Sequence, residues 1–283
     1  MSPLCSYLIC ATPRSGSTLL CEALINTGLA GRPEEYFESL KESGRPRRPL
    51  EYFTGVENAE LIALLGASDG PPPAYISDTD YGEYLARTIE QATTPNGVFG
   101  AKVMWGYLDD FVSNLRTIPQ YSVLPVPQLF ATIFPNLRYI TVIRRDKVRQ
   151  AVSLWKAIQT QAWKLDEDMH PGGQFHHQPL TFNFAAINHL KQQLEVNEAA
   201  WQQFFIQNDI APFTVVYEDF VSAYEETALQ ILRYLDIAIP DRPLFSARRM
   251  KQQADALSEQ WIQRYHEEDA EKEPDRESQS SRA

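Results

Sequence analysis

The hydrophobic pattern alone alternates strands with helices along this chain. Four short stretches are largely apolar: SYLICA at 6–11, the run closing TPNGVFGAKVMW at 94–105, LRYITVIRR at 137–145 and FTVVY at 213–217. Such runs fit strands buried on both faces. Between them apolar residues recur every three or four positions and predict helices over 16–27, 56–67, 79–93, 126–135, from about 146 to Trp163, 183–208 and 220–236. Val148, Ala151, Val152, Trp155 and Ile158 form one such stripe, and Ile187, Leu190, Leu194, Trp201 and Phe205 another. Residues 31–53 and 165–182 are dense in Pro, Gly and polar residues and read as loops, the first with a short helix, and a Gly-Pro-Pro-Pro run stands at 70–73. The pattern predicts an α/β fold, a parallel sheet flanked by helices, with a ligand crevice at the carboxyl ends of the strands. It places one domain over 1–265 and a charged, disordered tail over 266–283.

Chemistry concentrates first at YLICATPRSGSTLL, residues 7–20. A strand runs into a Gly/Ser/Thr turn with one arginine and then into a helix. That order gathers backbone N–H groups, hydroxyls and a guanidinium at a helix N-terminus, a cradle for phosphate or sulfate. The candidates are Pro13, Arg14, Ser15, Gly16, Ser17 and Thr18. The loop resembles a nucleotide P-loop but departs from G-x-x-x-x-G-K-[ST], because Ala11 takes the first glycine position and Ser17 the lysine position. The positive charge has moved to Arg14. A cradle without its lysine suggests a nucleotide used without kinase chemistry.

Composition narrows the classes. With 283 residues, 43% hydrophobic and 22% charged, the chain fits a globular protein with a sizeable core. No apolar run approaches the roughly 18 residues of a membrane span, and no signal peptide is read. The net charge of −11 argues against nucleic acid as a partner. It also requires the few positive groups near an anion site to be concentrated, and Arg14, Lys102, Arg144 and Arg145 are the candidates. Cys5, Cys10 and Cys21 cannot all pair and read as packing residues in a reducing cytoplasm. His176 and His177 lack partners at metal-ligand spacing, and no metal site is predicted.

A second anion site is read at VIRRDKVRQAVSLWKA, 142–157, where Arg144 directly follows a strand and Ser153 lies nine positions on in a helix. Arg144 alone would read as part of a charged surface. Together with the first cradle it suits a nucleotide phosphorylated at both ends. At this point the resemblance becomes specific. ATPRSGST is similar to the 5′-phosphosulfate loop of sulfotransferases that use 3′-phosphoadenosine 5′-phosphosulfate (PAPS), and IRRDKVRQAVS to their 3′-phosphate segment. VVYEDF at 215–220 is also similar to a superfamily segment. GLAGRPEEYF (28–37), TPNGVFGAKVMW (94–105), QAVSLWKA (150–157) and QADALSEQWIQRY (253–265) resemble the bacterial trehalose 2-O-sulfotransferase family, so the likeness covers residues 7 to about 265.

The resemblance implies the P-loop-like sulfotransferase fold, PAPS as co-substrate without a metal, a homodimer, and a trehalose-like sugar or glycolipid head group as acceptor. It places the acceptor's base on Glu35, with Glu34 beside it, and charge stabilisation on Arg14. Lys102 is expected to reach the same donor oxygens, and Arg144 and Ser153 the 3′-phosphate. Tyr36, Phe37, Trp105 and Tyr107 are candidate acceptor contacts, although aromatics bury area wherever they can. Region 248–265 is expected to close over the nucleotide, but Gln252 stands where the family tends to show arginine. Two other classes stay open here. A P-loop kinase is opposed by the missing lysine and by the lack of an acidic magnesium ligand, as a Walker B aspartate would be, following the strand 138–143. A non-catalytic nucleotide- or glycan-binding protein of the same fold would need Glu35 to be dispensable.

Overall fold

The computed structural model describes residues 3–38, 49–66, 80–160, 180–241, 244–245 and 255–280. Four strands, β1 (Cys5–Ala11), β2 (Val98–Met104), β3 (Leu137–Ile143) and β4 (Phe213–Val216), form one sheet in the order β2-β1-β3-β4. Every pairing is parallel. The helices are α1 (Ser17–Thr27), α2 (Ala59–Gly66), α3 (Tyr81–Ala92), α4 (Leu108–Arg116), α5 (Val126–Ile133), α6 (Lys147–Thr160), α7 (Phe184–Gln207), α8 (Tyr217–Ser222), α9 (Tyr224–Tyr234) and α10 (Ala256–Ser280).

Short polar side chains start several of these helices where the sequence offers them. Asp80 accepts from the Gly82 N–H (2.6 Å), Asp146 from Arg149 (2.8 Å), Asn183 from Ala186 (2.9 Å) and Asn58 from Leu61 (3.0 Å). Each satisfies one of the N–H groups a helix start leaves unpaired. One helix went unread. Leu108, Phe111, Val112 and Leu115 are the buried stripe of α4, spaced as a helix requires. The helix expected over 220–236 breaks at Ala223 into α8 and α9.

The chain divides into two compact units. The first comprises residues 1–46, 71–145 and 196–249, and the second 47–70, 146–195 and 250–283. In the first, strand alternation sends Tyr7, Ile9 and Lys102 to one face of the sheet and Leu8, Phe99 and Tyr139 to the other. Lys102 reaches Thr18 of α1 on its face. On the opposite face Phe99 stacks on Phe134 (5.4 Å between centroids), and Tyr139 meets Phe204 and Phe205 of α7 edge-on. Helices therefore cover both faces, as a buried parallel sheet requires.

The second unit is helical. Its core joins Phe53, Leu61, Val152, Trp155, Ile187, Leu190 and Trp261. Trp155 is fully buried and donates its indole N–H to the Thr181 carbonyl at 2.8 Å. Ion pairs Arg149–Glu259 and Lys156–Asp255 tie α6 to α10. Asp255 also caps α10 by accepting from the Ser258 N–H (2.8 Å). Burial disfavours its charge, yet the Lys156 ammonium and the Ser258 donors prevail and hold its carboxyl at about 2 against an ordinary 3.8. A depressed carboxyl pKa stabilises the fold above the ordinary value and loses that contribution as pH falls through the lowered one. Protection of the amides in the first turns of α10, taken relative to intrinsic exchange, is accordingly expected to fall between pH 3.8 and about 2, and Asp255→Asn to remove that dependence.

The segment from 266, expected to be unstructured, continues α10 to Ser280. Pairs one turn apart support it: Arg264–Glu268 at 2.9 Å, Lys272–Glu268 at 3.6 Å and Gln263–Glu267 at 2.9 Å. Lys272 also sits 3.5 Å from the centroid of the Phe184 ring. Among the described residues no helix is long and apolar enough to cross a membrane, and the three cysteines form no disulfide. The end of the α6 prediction at Trp163, most of the 165–182 loop with His176 and His177, and the 248–254 part of the closing region lie outside the described residues.

Candidate active site

The site sits in the first unit, at the carboxyl end of β1. The buried Trp201 donates its indole N–H to the Ala11 carbonyl at 3.0 Å and fixes the last residue of the strand. The chain then turns, with the Ser15 N–H on the Thr12 carbonyl at 3.3 Å. Pro13 and Arg14 are the central residues, and Arg14 has φ 61. Proline second and a positive φ third is the arrangement of a type II turn. Gly16 follows with φ 92 as the residue before α1 and supplies no side-chain cap. The positive helix terminus thus faces the turn. The Ser15 hydroxyl is fully buried and finds no hydrogen-bond partner among the described residues.

Glu35 arrives from the loop 28–38, which is laid along β2. The Gly31 N–H donates to Thr94 Oγ1 (3.1 Å), Arg32 N–H to the Ala92 carbonyl (2.8 Å) and Lys102 N–H to the Glu34 carbonyl (2.9 Å). Glu34 forms a parallel bridge with Ala101. Gly31 has φ 71, and a Cβ there would lie 2.9 Å from both Gly100 N and Val98 O, so only glycine lets the loop approach this closely.

Lys102 joins loop and cradle. Its Nζ lies 2.8 Å from Glu35 Oε2 and donates to Thr18 Oγ1 at 3.1 Å. Burial alone would push the ammonium toward neutrality, but the Glu35 charge and hydrogen bond outweigh it and raise its pKa above the ordinary value. The Glu35 side chain keeps 22% of its surface exposed against 6% for Lys102, so the carboxylate still has an open side. The buried Tyr107 donates to the Lys102 carbonyl at 3.2 Å, and burial, then the Glu35 charge, push its phenol well up.

Other sequence candidates fall in distinct places. Arg144 donates from Nη1 to the Arg14 carbonyl (3.1 Å) and lies over the Tyr217 ring, 4.5 Å from its centroid. Arg145 instead grips Asp219 through both terminal nitrogens (2.8 and 2.6 Å) at the surface. Ser153 is half-buried on α6, in the second unit. Phe37, expected beside the acceptor, is in the core, 2% exposed and stacked on Phe111 at 4.3 Å. Its neighbour Tyr36 is half-buried, donating to the Arg32 carbonyl at 2.5 Å. Trp105 is half-buried and packs edge-on against Trp201 at 5.1 Å.

Trp201 and Tyr217 are the residues sequence reasoning left unassigned here. Trp201 read as one member of a helical stripe. Tyr217 directly follows a strand, a position that points toward the crevice of a parallel sheet and was its available signal.

A strand-to-helix anion loop, one arginine and a carboxylate beside it are compatible with several transfer reactions, and comparison with known proteins narrows them. The family model for the Stf0 sulphotransferases matches residues 6–268. The trehalose 2-sulfotransferase of Mycobacterium tuberculosis Erdman is 33% identical over 260 residues, 92% of this chain and 93% of its own. That of Mycolicibacterium smegmatis is 30% identical over 263 residues, 92% and 94%. Among solved structures, the sulfotransferase domain of the Synechococcus PCC 7002 olefin synthase covers 92% of this chain and 88% of its own at a TM-score of 0.44 and 15% identity. With one model spanning nearly the whole chain and two relatives aligned along almost all of their own length, this chain belongs to the Stf0 sulphotransferase family.

Proposed function

We propose that this sulfotransferase moves the sulfuryl group of PAPS to a hydroxyl of trehalose or a closely related glycoside, the 2-hydroxyl by the names of its relatives. The observation that carries the mechanism is the bridge through Lys102. One buried ammonium touches both the Glu35 carboxylate and the Thr18 hydroxyl at the helix start, so a base and an anion cradle stand two hydrogen bonds apart. Glu35 takes the acceptor's hydroxyl proton as its oxygen attacks sulfur. The bond from sulfur to the 5′-phosphate oxygen breaks, and its electron pair leaves with adenosine 3′,5′-bisphosphate.

Negative charge spreads over the non-bridging and leaving oxygens as that bond loosens, by analogy with phosphoryl transfer. Arg14, the N–H groups from Gly16 to Thr18, and the Ser15, Ser17 and Thr18 hydroxyls are the groups that meet it. Lys102 supplies a cation to both ends. Arg144 meets the 3′-phosphate. Tyr36 and Trp105 border the acceptor, while Phe37 supports the loop from the core. The reading includes a homodimer at work in the cytoplasm.

The test is transfer of radiolabelled sulfate from PAPS, without added metal, to trehalose, glucose, maltose and glycolipid head groups. Label is expected in trehalose. Label in another sugar alone would overturn the acceptor and keep the chemistry. No label in any of them, with the bisphosphate still bound, would favour a protein that binds without transferring.

A further inference from the structure

The donor loop holds Arg14 in a conformation its sequence does not favour. At φ 61 in the third position of a turn, glycine or asparagine is the usual occupant, and arginine keeps the conformation only if its surroundings impose it. Two residues from other elements bear on this turn. Arg144, just past β3, donates to the Arg14 carbonyl at 3.1 Å. Tyr217, the first residue of α8, carries the Arg144 guanidinium on its ring face at 4.5 Å. The same ring lies against Gly16, since a Cβ built there would come within 2.2 Å of Tyr217 Cδ2. One aromatic ring therefore borders the turn at Gly16 and backs the cation that grips it at Arg14.

We propose that Tyr217 is a positioning residue for sulfuryl transfer, acting with Arg144 as a clamp that keeps the Arg14 turn in its left-handed form. The inference rests on the reading that loop 12–18 takes the sulfate-bearing end of the donor. In it the ring, not the phenol oxygen, is the working part. Phenylalanine preserves both contacts, whereas leucine keeps bulk beside Gly16 and gives up the face under Arg144. The clamp serves transfer chiefly by aiming the Arg14 side chain, so although Arg14→Ala keeps the backbone turn, removing the clamp costs little further turnover once that side chain is gone.

The experiment is steady-state kcat and KM for PAPS in wild type, Tyr217→Phe, Tyr217→Leu, Arg14→Ala and the Arg14→Ala/Tyr217→Leu pair, each checked for folding by thermal melt. Tyr217→Phe is expected to keep kcat within about twofold, and Tyr217→Leu to lose about tenfold in kcat. In the Arg14→Ala background Tyr217→Leu is expected to cost less than about twofold, the non-additivity of residues acting as one unit. Equal losses in both backgrounds would overturn the clamp. So would a raised KM at unchanged kcat, which describes a plain nucleotide contact. If Tyr217→Leu does not fold, Tyr217→Met replaces it in the same cycle, because methionine fills the space beside Gly16 but offers Arg144 no aromatic face. Unchanged turnover in Arg14→Ala would instead overturn the donor-loop reading itself.

Discussion

Glu35→Gln is expected to lower kcat by about 10²–10⁴-fold, the usual contribution of a positioned proton acceptor, while affinity for adenosine 3′,5′-bisphosphate stays within about twofold. An amide oxygen can still receive the Lys102 proton at the place of Oε2, so the loop keeps its seat on β2 and the cradle its shape. What disappears is the group that takes the acceptor's proton. A modest drop in melting temperature is also expected, because the buried Lys102 ammonium keeps a neutral partner in place of a charged one. Single-turnover rates with saturating donor, set beside calorimetric titration with the bisphosphate, read the two quantities separately. Weakened bisphosphate affinity at normal turnover would move Glu35 from the acceptor to the donor.

Arg14 is expected to answer differently in two assays. Arg14→Ala and Arg14→Gly should each lose about 10²–10³-fold in kcat, the scale of deleting one preorganised charge-stabilising donor. Their stabilities should diverge. Alanine must hold φ 61 at a cost of about 1–2 kcal/mol, whereas glycine adopts it freely and recovers part of that after its extra unfolded-state entropy. Arg14→Gly is therefore expected to melt above Arg14→Ala while being equally impaired. Equal melting temperatures would mean that the turn relaxes once the arginine is gone. Wild-type turnover in both variants would remove Arg14 from the chemistry.

The alternating architecture was legible because its signal is local. The apolar runs at 6–11, 137–145 and 213–217 carry strand length and burial together, and apolar residues three and four positions apart mark α6 and α7. The turn from β1 into α1 was legible as well, since Pro-Arg-Ser-Gly-Ser-Thr after an apolar run is a compact phrase. The partners of those residues were not. Lys102 was read as a donor contact, and its pairing with Glu35 joins residues 67 positions apart that the loop's bridge to Ala101 brings together. Phe37 shows the opposite limit, because an aromatic beside a functional glutamate has the same spelling whether it lines a pocket or fills a core. The helical tail escaped for a third reason: charge density suggests disorder until the one-turn spacing of Arg264, Glu268 and Lys272 is weighed.

The loop that carries Glu35 has one more role, set by where it lies. β2 is an outer strand of the sheet, yet every residue in it is buried. Its free edge would offer unpaired N–H and C=O groups to any other chain, the usual template for strand-to-strand aggregation. Residues 31–34 lie along that edge, through the bridge to Ala101 and the Lys102 N–H bond to Glu34. The segment that carries Glu35 thus also guards the sheet edge against self-association. Substitutions that loosen it, at Gly31 above all, would surface in the cell as insoluble protein before anyone measured a slower enzyme. Selection for solubility and selection for turnover therefore act here on the same few residues.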